Sequence, residues 1–233
     1  MDGSALLRPD YEIKPADYFA EPRLEMLPFV PANCRRLLDV GCGTGTFGES
    51  LKRTANIEVW GVEQLASAAA KARAKLDRLI QSSFGPEAEL PAAAFDCIVF
   101  GDVLEHMAAP EQALRFAMHL LAPGGSVVAS IPNVRQLPVL WQLAIHGRWD
   151  YSECGLLDKT HLRFFTRSSI VKMFLDEGYI IETMCGINAY SGVPNVSKRL
   201  WAAYKFINAL FLGKFADMRF QQFAVVAKPA SSP

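Results

Sequence analysis

From Leu37 onward, short apolar runs rich in β-formers alternate with longer stretches of helical character. "RLLDVG" is a continuous apolar run ending in glycine, as expected of a buried parallel strand. "TFGESLKRTA" predicts a helix, "IEVWGVE" a second strand, and the Ala-rich "QLASAAAKARAKL" a second helix. A short strand is expected near Arg78 to Gln81, and "FDCIVFGD" is a further strand. A helix over "APEQALRFAMHLL" follows, with Pro110 suited to its first turn, and "APGG" turns into the strand "SVVASIP". This alternation implies a parallel sheet with helices on both faces. The end of the chain breaks the rhythm: "YIIETMCGI" and "RFQQFAVVAKP" read as strands, separated by the helical "SKRLWAAYKFINALFLGKF".

Composition narrows the picture without changing it. At 233 residues, 51% hydrophobic and 21% charged, the chain is expected to form one ordered domain, 1–233. Lys+Arg and Asp+Glu both number 24, which removes any charge-based case for a nucleic-acid partner. The five cysteines are scattered, none in a C-x-x-C and none with His at zinc spacing, so reduced thiols and no metal ligands are expected. The N-terminus has no basic segment followed by an apolar run, and no apolar stretch is long enough to span a bilayer; a cytoplasmic location is expected.

The candidate chemistry begins at "LLDVGCGTGTFGES". It holds two overlapping glycine spacings: Gly43, Gly45 and Gly48 match a nicotinamide-dinucleotide loop, whereas Gly41, Gly43 and Gly45 suit a different nucleotide cofactor. At the carboxyl edge of an open parallel sheet either loop lets backbone approach a ligand, and Glu63, ending the next strand, can accept from ribose hydroxyls. The glycines alone leave both cofactors open.

"LLDVGCGTG", Glu63, "FDCIVFGDVLEHM" and "LAPGGSVVASIPN" together resemble class I S-adenosylmethionine-dependent methyltransferases, over roughly residues 15–185. The resemblance implies a Rossmann-like, doubly wound α/β sheet, mostly parallel with an antiparallel C-terminal strand. It implies S-adenosylmethionine as cofactor and S-adenosylhomocysteine as product. Gly41, Gly43 and Gly45, with Cys42, would line the methionine part, and Asp39 would lie near its amino group. Glu63, with Gln64, would hold the ribose, while Asp102 and Val103 complete the cofactor edge. Gly48 then becomes a close-packing residue. Where many relatives carry an acidic residue near the adenine, "LIQSSFGPE" offers Ser83. The resemblance divides the chain into an N-terminal helical cap (1–34), a cofactor-binding core (35–132) and substrate or lid elements (133–166 and 188–218).

His106 is a candidate base, or a capping residue. In "DKTHLRFFTRSS", Thr166 is expected to cap the helix "RSSIVKMFLDEG", which Gly178 ends. That leaves Asp158, His161 and Arg163 on the preceding loop, either as a polar network pinning it or as a base (His161) with an anchor for an anionic group (Arg163). Trp149 and Tyr151 are candidate walls of the acceptor site, or core aromatics. The sulfonium already carries a good leaving group, so no metal is required to activate the methyl.

"D-x-x-HLRFFT" also resembles methyltransferase-like proteins found with bacterial surface-polysaccharide enzymes. That favours O-methylation of a glycan or sugar-nucleotide, with a lipid-quinone or phenolic acceptor as the alternative. A nicotinamide-dependent oxidoreductase and a non-catalytic S-adenosylmethionine-fold module are the readings outside methyl transfer. The amphipathic segment 197–215 places Leu200, Tyr204, Ile207 and Phe211 on one face, for packing as a lid, for a dimer surface or for peripheral membrane contact.

Overall fold

The structure, a computed structural model, describes residue 14, residues 19–190 and residues 198–230. Seven strands form one sheet in the order β3-β2-β1-β4-β5-β7-β6. They are β1 (Arg36–Val40), β2 (Glu58–Val62), β3 (Arg78–Ile80), β4 (Phe95–Gly101), β5 (Leu121–Pro132), β6 (Tyr179–Ala189) and β7 (Phe220–Pro229). Pairings from β3 through β5 are parallel, and β7 runs antiparallel to both β5 and β6. This is the doubly wound, mostly parallel α/β sheet that the alternation and the resemblance imply.

The two-residue period of β1 divides the core. Leu38 and Val40 face one apolar layer with Trp60, Phe100, Leu114 and Phe174; Leu37 faces the other with Met26, Leu51, Val59 and Val99. Both layers exclude water, which is why β1 reads as a continuous rather than alternating apolar run.

The helices Thr46–Thr54, Pro110–Leu120 and Arg167–Asp176 stand where periodicity places them. Thr166 caps the last through a reciprocal capping box with Ser169, and Gly178 ends that region at φ 78°. Two differences have physical causes. The Ala-rich helix is short, Ala66–Ala72: Ala68, Ala69 and Ala72 are buried, and the chain then turns so that Leu76 enters the core. The N-terminal cap, where described, is a 3-10 helix (Leu24–Phe29) interrupted by Pro28, with Met26 as its buried anchor. A further helix, Leu137–His146, arises in a stretch whose apolar residues show no clean helical face.

The strand order reverses between β2 and β4, on either side of β1, and ligands bind outside the carboxyl ends of strands at such a switch point. The C-terminal insert, helix Lys198–Leu210, also joins the sheet at that edge, between the end of β6 and the start of β7. Tyr204 is its buried residue, its hydroxyl donating to the Phe215 carbonyl, and Asn208 accepts from the Phe215 amide. Ile207 and Phe211, expected on the packed face, are exposed; the Leu200 side chain lies outside the described residues.

Candidate active site

A cavity of about 730 Å³ opens at the switch point. Its lining includes Asp39, Gly41, Cys42, Gly43, Glu63, Asp102, Val103, His106 and His161, and also Phe19, Arg23 and Glu105. Sequence order scatters these residues; the ends of β1, β2 and β4, the N-terminal segment and the loop carrying His161 bring them together.

The glycine loop is held by backbone bonds and one carboxylate. The amides of Gly41 and Cys42 both donate to the Val62 carbonyl, coupling the loop to β2. Glu63 accepts from the Gly43 amide at 2.9 Å and the Leu65 amide at 2.8 Å, so its first task is to shape the loop. The Phe19 carbonyl accepts from the Thr44 amide, laying the N-terminal segment across the loop. Gly43 has φ 53°, and a Cβ there would meet the Phe19 oxygen at 2.5 Å. Gly48 is a packing residue: a Cβ would stand 2.5 Å from Leu76 and 2.8 Å from Val59. Gly45 lies outside the cavity lining and begins the Thr46–Thr54 helix, its carbonyl accepting from the Glu49 amide.

Asp39 is buried, with its Oδ2 lacking a hydrogen-bond partner among the described residues. Burial, then the nearby Glu63, pushes its carboxyl up to about 8 against the opposing charge of Arg23. A buried acceptor of this kind is costly unless a donor reaches it, and the ammonium group of an amino acid is such a donor. Together with a loop too tight for side chains, it makes the residues fit S-adenosylmethionine. Asp102 takes φ 54°, is ion-paired with Arg23, and accepts from the Ser130 hydroxyl at 2.6 Å and the Gln222 amide at 2.5 Å.

Opposite stands a pair of histidines, ring centroids 4.6 Å apart and perpendicular. His161 Nδ1 donates to the Leu156 carbonyl at 2.8 Å, which leaves the lone pair on Nε2, 3.9 Å from Glu105 Oε1. His106 Nδ1 donates toward Thr160, whose hydroxyl donates in turn to Asp158. Burial lowers both imidazoles; for His106, burial and then the neighbouring His161 push it down to about 4. Both rings are neutral at pH 7. Glu105, 1% exposed, has neither carboxyl oxygen hydrogen-bonded among the described residues, and burial followed by the Asp102 charge raises it well above the carboxylate range.

Glu105, His106 and His161 each present a ligand atom within 4.8 Å of the others, a set able to hold a divalent cation. Like Phe19 and Arg23, Glu105 is a site residue that sequence reasoning missed. Its signal was the Asp-x-x-Glu-His spacing of Asp102–His106, which a 3-10 turn, Leu104–His106, folds inward.

With Gly45, seven of the expected residues lie outside the cavity lining. Gln64 is one, and the Ser83 hydroxyl donates to Glu87. Asp158 is fully buried, accepting from Lys14 Nζ at 2.6 Å and from the Thr160 amide and hydroxyl, so it pins the loop rather than meeting a ligand. The Arg163 guanidinium donates to the Ala108 carbonyl. Trp149 packs edge-on against Phe164 at 5.2 Å, and Tyr151 is 54% exposed.

Residues 13–183 match the family model described as a methyltransferase domain. The ubiquinone biosynthesis O-methyltransferase of Psychrobacter arcticus is 31% identical over 72% of this chain and 66% of its own length. The mitochondrial enzyme of the same name from Mus musculus is 28% identical over 71% of this chain and 47% of its own. The chain thus spans only half to two-thirds of the curated relatives it matches. A SAM-dependent methyltransferase from Archaeoglobus fulgidus superposes with a TM-score of 0.66 at 20% identity, covering 91% of this chain and 96% of that one. The family's cofactor is S-adenosylmethionine, and the nicotinamide reading falls away. The chain belongs to the class I S-adenosylmethionine-dependent methyltransferase family.

Proposed function

We propose that the protein methylates a hydroxyl oxygen of a phenolic or quinol-type small molecule. The observation that carries this reading is His161: a neutral imidazole on the cavity wall, its tautomer set by Leu156 so that Nε2 carries the lone pair. A phenol needs a base at the moment of attack, and a buried neutral histidine supplies one at ordinary pH. S-adenosylmethionine, when bound, supplies a methyl group on a sulfonium leaving group. Asp39 and the Glu63-shaped loop would orient that group, and Phe19 and Arg23 narrow the cavity against water.

The relatives named ubiquinone biosynthesis O-methyltransferases support a phenolic acceptor over a glycan. The glycan expectation rested on "HLRFFT", whose side chains are largely engaged in structure: Phe165 in the core, Phe164 against Trp149, Arg163 on Ala108. A second reading has one observation in its favour, the unpartnered Glu105 carboxyl. With His106 and His161 it would hold a divalent cation beside the acceptor oxygen.

The test is His161→Gln assayed with catechol and sugar hydroxyl acceptors alongside calorimetry with S-adenosylhomocysteine. A loss of turnover of about 10²–10⁴-fold with catechol, at unchanged S-adenosylhomocysteine affinity, is the expected result. Unchanged turnover removes the base, and methylation of sugars alone removes the phenolic acceptor. Dialysis against EDTA separates the two readings: turnover that survives belongs to the base alone, and turnover that falls and returns with Mg²⁺ belongs to the cation.

A further inference from the structure

The insert between β6 and β7 packs with one side and leaves a second apolar side uncovered. Trp201, Tyr204 and Asn208 face inward, with Tyr204 stacked on Trp201 and tied to Phe215. Phe206 and Leu210, one turn apart, are 71% and 67% exposed, and the turn that follows presents Phe211 and Leu212. Leu212 is 93% exposed and takes φ 52°, a conformation that favours glycine. A leucine here incurs both solvent exposure and backbone strain, though a polar residue would avoid the first and Gly or Asn the second.

The charge of the segment is one-sided. The whole chain carries equal numbers of acids and bases, yet residues 198–214 hold Lys198, Arg199, Lys205 and Lys214 and no Asp or Glu. Arg199, Lys205 and Lys214 are exposed. Beside the turn, a cleft is lined by Lys214, Arg167 and Arg135, the last paired with Asp217. Exposed aromatic and aliphatic side chains on a segment whose own charges are all cationic complement a surface that is apolar inside and anionic outside. A second copy is a poor occupant, because a self-complementary contact through this segment would set cations against cations.

We propose that the Lys198–Leu210 helix and the turn after it dock the protein on an anionic lipid bilayer, with Phe206, Leu210, Phe211 and Leu212 entering the interface. The insert joins the sheet at its carboxyl edge, next to Tyr190, which lines the cavity and bonds Gln136 across it. Docking through the insert therefore brings the cavity's side of the molecule to the membrane. This inference does not depend on the acceptor, and holds for a phenolic or a saccharide substrate alike.

The experiment is co-sedimentation of the full chain with vesicles of phosphatidylglycerol and phosphatidylcholine, and with vesicles of phosphatidylcholine alone. Two variants accompany it, Lys205→Gln with Lys214→Gln, and Phe206→Ser with Leu212→Asn, the asparagine chosen because it tolerates the left-handed backbone. Wild type is expected on the anionic vesicles and released by salt. Each lysine removed should weaken binding about fivefold, and the apolar pair should abolish it, while S-adenosylhomocysteine binding is unchanged in both. Equal binding to both vesicle types, no binding to either, or apolar-pair variants that bind as wild type would overturn the proposal. So would a dimer in light scattering that the variants dissolve without any vesicle binding by wild type.

Discussion

Asp39 couples the site to protons. Its folded value, about 8, lies above the ordinary 3.8, so the folded chain retains a proton that the unfolded chain gives up. The stability attached to this group is complete below 3.8 and lost as pH rises through about 8. A ligand ammonium group favours the ionised carboxylate, so S-adenosylhomocysteine binding at pH 7 should expel a proton. Calorimetry in buffers of different ionisation enthalpy should show release approaching one proton per site, and Asp39→Asn should abolish it. The histidines act in the opposite sense. With His161 held below 6.5 and His106 near 4, turnover should persist as pH falls through 6.5 and decline only below it. A pH–rate profile whose acid limb sits at or above 6.5 would contradict the assignment of His161. At this scale the placement of Glu63, His106 and His161 on the cavity wall follows from residue type and motif spacing, and that of Asp39 from the family resemblance. Glu105 was not legible, because nothing in a linear sequence says that a carboxyl in "VLEHM" turns inward without a partner.

Elements whose signals are local were the legible ones. A capped helix such as Arg167–Asp176 declares itself through Thr166 and Gly178, and a doubly buried strand such as β1 through its unbroken apolar run. The Ala-rich helix shows the converse, since seven helix-favouring residues end where Leu76 must reach the core. Packing outweighs propensity there. The Leu137–His146 helix was illegible because its exposed Leu143 and Ile145 blur any helical face. The glycine loop yields an element-scale prediction. Gly43→Ala combines left-handed backbone strain of about 1–2 kcal/mol with a Cβ placed against the Phe19 carbonyl. The loop or the N-terminal segment must shift, and S-adenosylhomocysteine affinity should fall about tenfold or more, at 1.4 kcal/mol per tenfold. Gly124→Ala has open space around it and should leave affinity unchanged.

Across the whole molecule, strand–helix alternation conveys a parallel sheet and the resemblance an antiparallel last strand, but neither placed β7 between β5 and β6. Strand order is a long-range property, and two late strands are compatible with several arrangements. The same holds for the loop carrying His161, which reaches the cavity because Asp158, Thr160 and Lys14 fasten it from far apart in the chain. Those fastenings belong to a wider pattern. Among the described residues of the N-terminal stretch, Lys14 bonds Asp158, Arg23 pairs with Asp102 on the cavity wall, and the Phe19 carbonyl accepts from Thr44. Contacts of this kind beside a nucleotide cavity slow departure as well as entry. The enzyme should therefore complete its first catalytic cycle faster than its second, with a quenched-flow burst of methylated product and a steady rate set by the escape of spent nucleotide. Lys14→Ala would loosen one of these contacts and also the loop that carries His161, so the burst should slow toward the steady rate.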